Sequence, residues 1–252
     1  MAKLAGLGAN AYVGGYDLSG DIGAVQNVQG GPNLLIVTAI DKSAEERVTG
    51  IKSGSLQFAS WFNPSALQQH VAFSPLPTTD VVSMFAMKAG ASFAIGDECA
   101  QIIGKQVDYQ ANRQQDGSLA FTIDMQSNGW GLEWGNLLTA GKRTDGSATN
   151  GTSWDDLAGA PTSTAFGMSA YAELFAFSGT SVTITVQDSA DNVSFAAITG
   201  LAFPAWSSAP QAARQSTSST ATIRRYLRVA TSGTFSNAVF AVSVTRHLTA
   251  TL

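Results

Sequence analysis

The chain has 252 residues, room for one large or two small domains, and at 44% hydrophobic it has the apolar mass for a sizeable core. Only 13% of residues are charged, about half the usual share for a soluble protein; such a surface suits a subunit covered by neighbours, with a Ser/Thr/Asn-covered extracellular β-protein as the competing reading. The net charge of −4 excludes a chain-wide basic footprint for nucleic acid, and a lone cysteine, Cys99, excludes an internal disulfide framework or a zinc cluster.

The charge is unevenly spread. Residues 1–170 carry 15 acidic and 9 basic side chains, and residues 171–252 carry 3 and 5. The opening MAKLAGLGANAYVGG is too short for an h-region and lacks a cleavage site, so no signal peptide is expected. No apolar run reaches the ~18 residues of a membrane span. A soluble protein made inside the cell is the expectation.

Residues 1–15, small and Gly-rich, predict a mobile arm that orders on assembly. Asp17 and Ser19 are placed to seed an Asx or Ser turn. A strand over 22–29 is broken by Gly30, Gly31 and Pro32, and LLIVTA (34–39) predicts an apolar β-run. The stretch 38–62, TAIDKSAEERVTGIKSGSLQFASWF, then predicts a short helix. Asp41 is a plausible N-cap, Glu45 and Glu46 fit the positive end of a helix dipole, Arg47 follows, and Gly50 is a stop. From residue 55 the period changes to two: Leu56, Phe58 and Ser60 face one way, Gln57, Ala59 and Trp61 the other, which is a strand.

Asn63-Pro64 ends that strand, and SALQQHVAF (65–73) predicts a second short helix with Leu67, His70 and Val71 facing inwards. Residues 80–88 predict a strand buried on both faces, and 99–109 another. Asp116-Gly117 marks a turn, and 118–126 alternates cleanly, with Leu119, Phe121, Ile123 and Met125 on one face. GWGLEWG (129–135) predicts a bend where Trp130 and Trp134 cover a sheet end. Residues 144–164 form a long polar loop. Beyond it, strands are expected over 170–177, 181–187, 194–200, 222–231 and 236–247, with a turn at DSADN; this spacing indicates an antiparallel sandwich. Residues 203–220 take no strand assignment.

His70 and His247 are the only histidines; the first fits a structural role, the second an exposed one. Asp97 and Glu98 beside Cys99 would raise a thiol pKa, so a quiet thiol is expected. The carboxylate pairs Asp97/Glu98, Asp155/Asp156 and Asp188/Asp191 lie in turns, where such groups bond backbone amides more often than they cleave glycosides. The Asp188–Asn192 run lacks the Gly and distal Glu of an EF-hand, and Gly129-Trp130-Gly131 does not extend to a dinucleotide fingerprint. Arg224, Arg225 and Arg228 form a basic cluster whose partners would be Glu173, Asp188 or a neighbouring subunit. No cofactor, metal or enzymatic activity is expected. A glycan- or cell-surface-binding module is the alternative function, with Trp206, Tyr226 and Phe235 as stacking candidates against a core-packing role.

The collinear series YDLSGDIGAV, AIDKSAEERVTGIKSGSLQFASWFN, LPTTDVVSMF, QVDYQANRQQDGSLAFTIDMQSNGWGLEWGNLLTAGKRTD, VTITVQDSADNVSFAAITG and ATIRRYLRV resembles a phage major tail protein, the tail-tube subunit of long-tailed, non-contractile phages of actinobacterial hosts. The strength lies in order over nearly the whole chain rather than in one motif. The resemblance implies a mainly β fold: a tail-tube β-sandwich or barrel with a short helix over 1–164, and a C-terminal antiparallel β-sandwich decorating the tube over 165–252. It implies hexameric rings stacked into a tube through long loops and terminal arms. It also implies partnership with a tape-measure protein, tail terminator and distal tail proteins, and genomic DNA passing through the lumen without specific binding. The location would be the virion tail, assembled in the host cytoplasm, with no membrane partner. Asp41, Glu45, Glu46 and Arg47 are the expected subunit-interface charges, and an acidic first part suits a lumen that must not retain DNA.

Overall fold

The computed structural model describes residues 5–158 and 161–249. The first four residues of the expected N-terminal arm lie outside the described residues. In chain order the strands are β1 (Asn10–Val13), β2 (Tyr16–Asp17), β3 (Ile22–Ile36), β4 (Arg47–Trp61), β5 (Val81–Ala86), β6 (Glu98–Arg113), β7 (Leu119–Ser127), β8 (Glu133–Leu137), β9 (Arg143–Asp145), β10 (Trp154–Asp155), β11 (Ser163–Thr164), β12 (Met168–Ser189), β13 (Ala196–Ala202), β14 (Gln211–Ser216), β15 (Ile223–Arg224) and β16 (Tyr226–Arg246). The helix α1 spans Gln69–Phe73. The protein is mainly β, as expected. The pairs whose register is resolved are antiparallel.

The chain forms two compact units: one from Met1–Gly20, Met84–Gln101 and Trp134–Leu252, the other from Asp21–Ser83 and Ile102–Glu133. The division does not fall at residue 165. β16 pairs with β8, β9 and β10, all from before that position, so residues 165–252 share their sheet with earlier strands.

The larger unit is built on β12 and β16, paired from Met168↔Arg246 to Ser189↔Tyr226. Sequence punctuation predicts breaks near Gly179 and Gly233. The chain instead passes through both as bulged strand, with register shifts around Gly179. β14, unplaced by sequence, adds to the first half of β12, and β13 to its second half. Alternation then sorts the sheet's faces. Ala170, Ala172, Leu174, Ile184, Val186, Phe240 and Val242 enter one apolar core with Trp206 and Phe235. Ser169, Tyr171, Glu173 and Ser243 carry the opposite parity and are also fully buried. That second face is polar, with most groups bonded: Ser243 donates to Gln101 Oε1, Gln101 Nε2 to Thr245 (2.6 Å), and Arg214 to Tyr171 (3.0 Å) and Ser169 (2.7 Å). β1, expected to belong to a mobile arm, packs here with β2; Ala11, Tyr12, Val13 and Leu18 are buried, and the Tyr12 ring lies 4.9 Å from that of Phe175.

The smaller unit holds the sheet order β3–β4–β7–β6. The clean alternation of 118–126 is realised in β7, where Phe121, Ile123 and Met125 are buried opposite Leu56 and Phe58 of β4. α1 is five residues long and buries Gln69 and Phe73, while Leu67 and Val71 are exposed, the reverse of the helical-wheel expectation. The reason is local. Leu67 takes a left-handed conformation (φ 64°), so the helix starts late and its inward face shifts. Asp21 receives its first amide, from Gln69 (2.9 Å), and the side chain of Asn63 (2.8 Å). His70 meets the Tyr109 hydroxyl at 2.8 Å, a satisfied structural histidine.

Candidate assembly surface

The hairpin β3–β4 is the feature on which the smaller unit opens to solvent. Its register runs from Ile22↔Ser60 to Ile36↔Arg47. β4 is also held by β7, but only over Ser55–Trp61. Among the described residues, β3 pairs with β4 alone, and residues 47–54 of β4 pair with β3 alone. The distal half of the hairpin is therefore a free two-stranded ribbon. At about 3.3 Å per residue it extends roughly 20 Å from its root.

The root is fixed by a close approach. A Cβ on Gly54 would lie 2.4 Å from the Leu132 amide nitrogen, and one on Gly30 2.5 Å from Leu132 Cβ. The glycines thus let the segment before β8 lie across the hairpin. Gly50, read from sequence as a helix stop, is a strand residue, and so is Gly54.

No helix forms at 41–50. Residues 37–46 are a turn region between strands, closed by Val37 N to Glu46 O (2.9 Å) and Glu46 N to Thr38 Oγ1 (2.9 Å). Two turns of isolated helix are marginal, and the β-prone runs on either side, LLI and RVT, pair instead. Capping chemistry at Asp41 and the charge pattern after it fit a tight, solvated hairpin tip equally well.

The four predicted interface residues come together on this tip, and all are exposed. Glu45 and Arg47 form an ion pair, and Lys42 Nζ lies 3.6 Å from Glu46. Exposed pairs like these contribute about 0–1 kcal/mol, so their value is orientation more than stability.

Sequence reasoning marked 34–39 as an apolar β-run and missed that it stays exposed. Every residue from 32 to 49 is exposed. Among them Leu34 is 63%, Ile36 63% and Ile40 108% exposed, and Ile51 beyond them 79%. Leu35 and Val48 are exposed too, so both faces are apolar. The available signal was the lack of alternation in LLIV: a run that buries neither parity cannot be half-buried by its own sheet.

The other candidates are committed to structure. Trp206 and Phe235 lie in the core, which removes them as stacking platforms, and Tyr226 sits under the Arg225 guanidinium at 4.9 Å. Arg224 binds Asp188 (2.6 Å), as the sequence allowed, Arg225 binds Asp155, and Arg246 binds Asp156. Asp97 accepts the Ala94 amide (2.8 Å). Asp191 accepts those of Val193 (2.9 Å) and Ser194 (2.8 Å), and these amides and the Ser189 hydroxyl hold its carboxyl far below the usual range. His247, half-buried rather than exposed, lies 3.3 Å from Ser169 Oγ. Trp130 and Trp134 are half-exposed. Among the described residues, no group of three or more His, Cys, Asp or Glu is arranged to hold a metal. No helix there is long and apolar enough to cross a membrane.

No family model and no curated protein matches the chain. Several solved structures align with it, among them two from phage-like tails. The tail of an empty GTA particle, determined with C6 symmetry, aligns at 14% identity and TM-score 0.35, covering 45% of this chain and 81% of that one. The Dit protein of phage SPP1, described as a hub of the adsorption apparatus in phages infecting Gram-positive hosts, aligns at 11% identity and TM-score 0.33, covering 94% and 99%. At these TM-scores neither alignment establishes a shared fold.

Proposed function

We propose that this chain is a structural phage-tail protein, a tail-tube subunit that polymerises with copies of itself. The observation that carries the reading is the β3–β4 ribbon: an unpaired strand edge and a two-faced apolar surface on one projecting element. An isolated two-stranded ribbon is marginal in water, and a long open edge invites pairing with another chain. Burying six such side chains stabilises a contact by on the order of 10 kcal/mol before association costs are subtracted. The tip charges Glu45, Glu46 and Arg47 would set the register of docking. The low charge content and the collinear resemblance to major tail proteins support the same reading.

The mechanism is geometric, with no bond made or broken. The edge of β3 extends the sheet laterally into a neighbour, and the ribbon docks axially on the next layer. Six-fold rings, a conduit for DNA ejection, and contacts with tape-measure, terminator and distal tail proteins belong to this proposal. Negative-stain electron microscopy of the purified chain tests it: rings or tubes are expected. Monomers at every concentration and salt would overturn it.

A further inference from the structure

Glu173 lies in the first half of β12, in the larger unit, and is fully buried. Its Oε2 accepts the backbone N–H of Gly15 at 2.6 Å, while its Oε1 has no hydrogen-bond partner. Gly15 is the second residue of the two-residue turn joining β1 to β2. Both turn residues have positive φ (Gly14 62°, Gly15 87°), as a type I′ hairpin requires. At Gly15 a Cβ would also lie 2.5 Å from the Gln211 amide nitrogen and 2.8 Å from Pro210 Cβ. The turn is thus pressed onto the sheet at a point where its one side-chain tether is a buried carboxyl.

The groups facing that carboxyl are known from each element packed on it. Tyr12 on β1 donates no proton to it; its hydroxyl accepts from Asn10 (2.6 Å). Asp17 on β2 is acidic and is held by Lys142 at 2.5 Å. Cys99 on β6 is a buried thiol, with Glu98 beside it. On β14, Arg214 donates to Tyr171 and Ser169. The β16 residue opposite Glu173 is Ala241. An ionised carboxylate here would be dry, short of one partner on Oε1, and close to a second negative charge, Asp17.

We propose that Glu173 is a proton-dependent latch for the N-terminal hairpin: neutral, it holds β1–β2 on the β12–β14–β16 sheet, and ionised, it releases the hairpin to admit water. This goes beyond the tail-tube reading and stands or falls separately. Burial, the main cause, and the nearby Asp17 raise the carboxyl well above its ordinary value, against the Gly15 bond that lowers it. The sign follows. With a raised folded-state value, the docked hairpin is fully stabilised below the ordinary glutamate range, and that stabilisation is lost as pH rises through the folded-state value.

Hydrogen exchange of the intact protein, followed by mass spectrometry from pH 5 to 9 and corrected for intrinsic rates, tests the latch. Protection of the peptide over residues 10–17 is expected to fall by up to about tenfold per pH unit between the ordinary glutamate range and the folded-state value, and to level off above it. Protection over β16 should stay constant. In Glu173→Gln, which keeps an acceptor for the Gly15 amide, the fall should vanish. Gly15→Ala should lower protection at every pH. Protection over residues 10–17 that is independent of pH in the unmodified protein overturns the proposal, and so does a fall of equal size over β16. The unmodified protein alone decides the matter if a variant does not fold.

Discussion

Arg246 donates to four acceptors: the Asp156 carboxylate, the Thr164 hydroxyl (2.9 Å) and the carbonyls of Ile223 (2.9 Å) and Arg224 (2.8 Å). The ion-pair side chains are only 5% and 10% exposed, so removing the guanidinium strands a buried acid and two carbonyls. Arg246→Met is expected to destabilise the protein by about 3 kcal/mol, read as a lower urea midpoint; an unchanged midpoint would contradict the clamp. In the apolar core, Phe240 is fully buried, and Phe240→Ala should cost about 3–5 kcal/mol by the same measurement. Cys99 is wholly buried, and burial, outweighing the Ser243 hydrogen bond, pushes its thiol up to about 12. At pH 8 it stays protonated, and native protein should resist iodoacetamide until denaturant is added. Alkylation at the rate of a free thiol would show that the strand around Cys99 opens.

At the scale of elements, the hairpin β3–β4 separates fold from assembly. Its root pairs with β7, whereas every residue from 32 to 49 in its distal half is exposed. Replacing Leu35, Ile40 and Ile51 together by Ser should leave the melting temperature within a few degrees while lowering the yield of assembled protein, because exposed substitutions carry little folding energy. Charge reversal at Glu46 and at Arg47, made separately, should act in the same direction; unchanged assembly in both would remove the tip charges from the interface. Much of this architecture was legible in the sequence. Strict alternation marked β7, and the lack of polar relief in 80–88 marked β5. What misled was punctuation. Gly30-Gly31-Pro32 and Ser178-Gly179 look like turns, but a partner strand with matching length carries the chain through them as bulges. The helix expected at 41–50 failed for the complementary reason: capping and charge signals are local, whereas strand pairing between LLI and RVT is a contact the local pattern does not contain. The four candidate interface charges were legible as charges, and their gathering on one tip was not.

On the scale of the whole molecule, low charge, an open strand edge and an apolar ribbon leave the isolated chain with surfaces that a neighbour would complete. The buried polar face beneath β1–β2 has a different place in the account, since it governs how the N-terminal segment sits on its own unit rather than what the chain binds. The central claim is self-assembly through the ribbon, and sedimentation velocity measures it most directly. The unmodified chain and a variant with the whole ribbon, residues 31–53, replaced by Asn-Gly between Gly30 and Gly54 are run side by side over a hundredfold range of concentration. The account predicts large, concentration-dependent species for the unmodified chain and a folded monomer for the variant. A monomer in both, or identical large species in both, would contradict it.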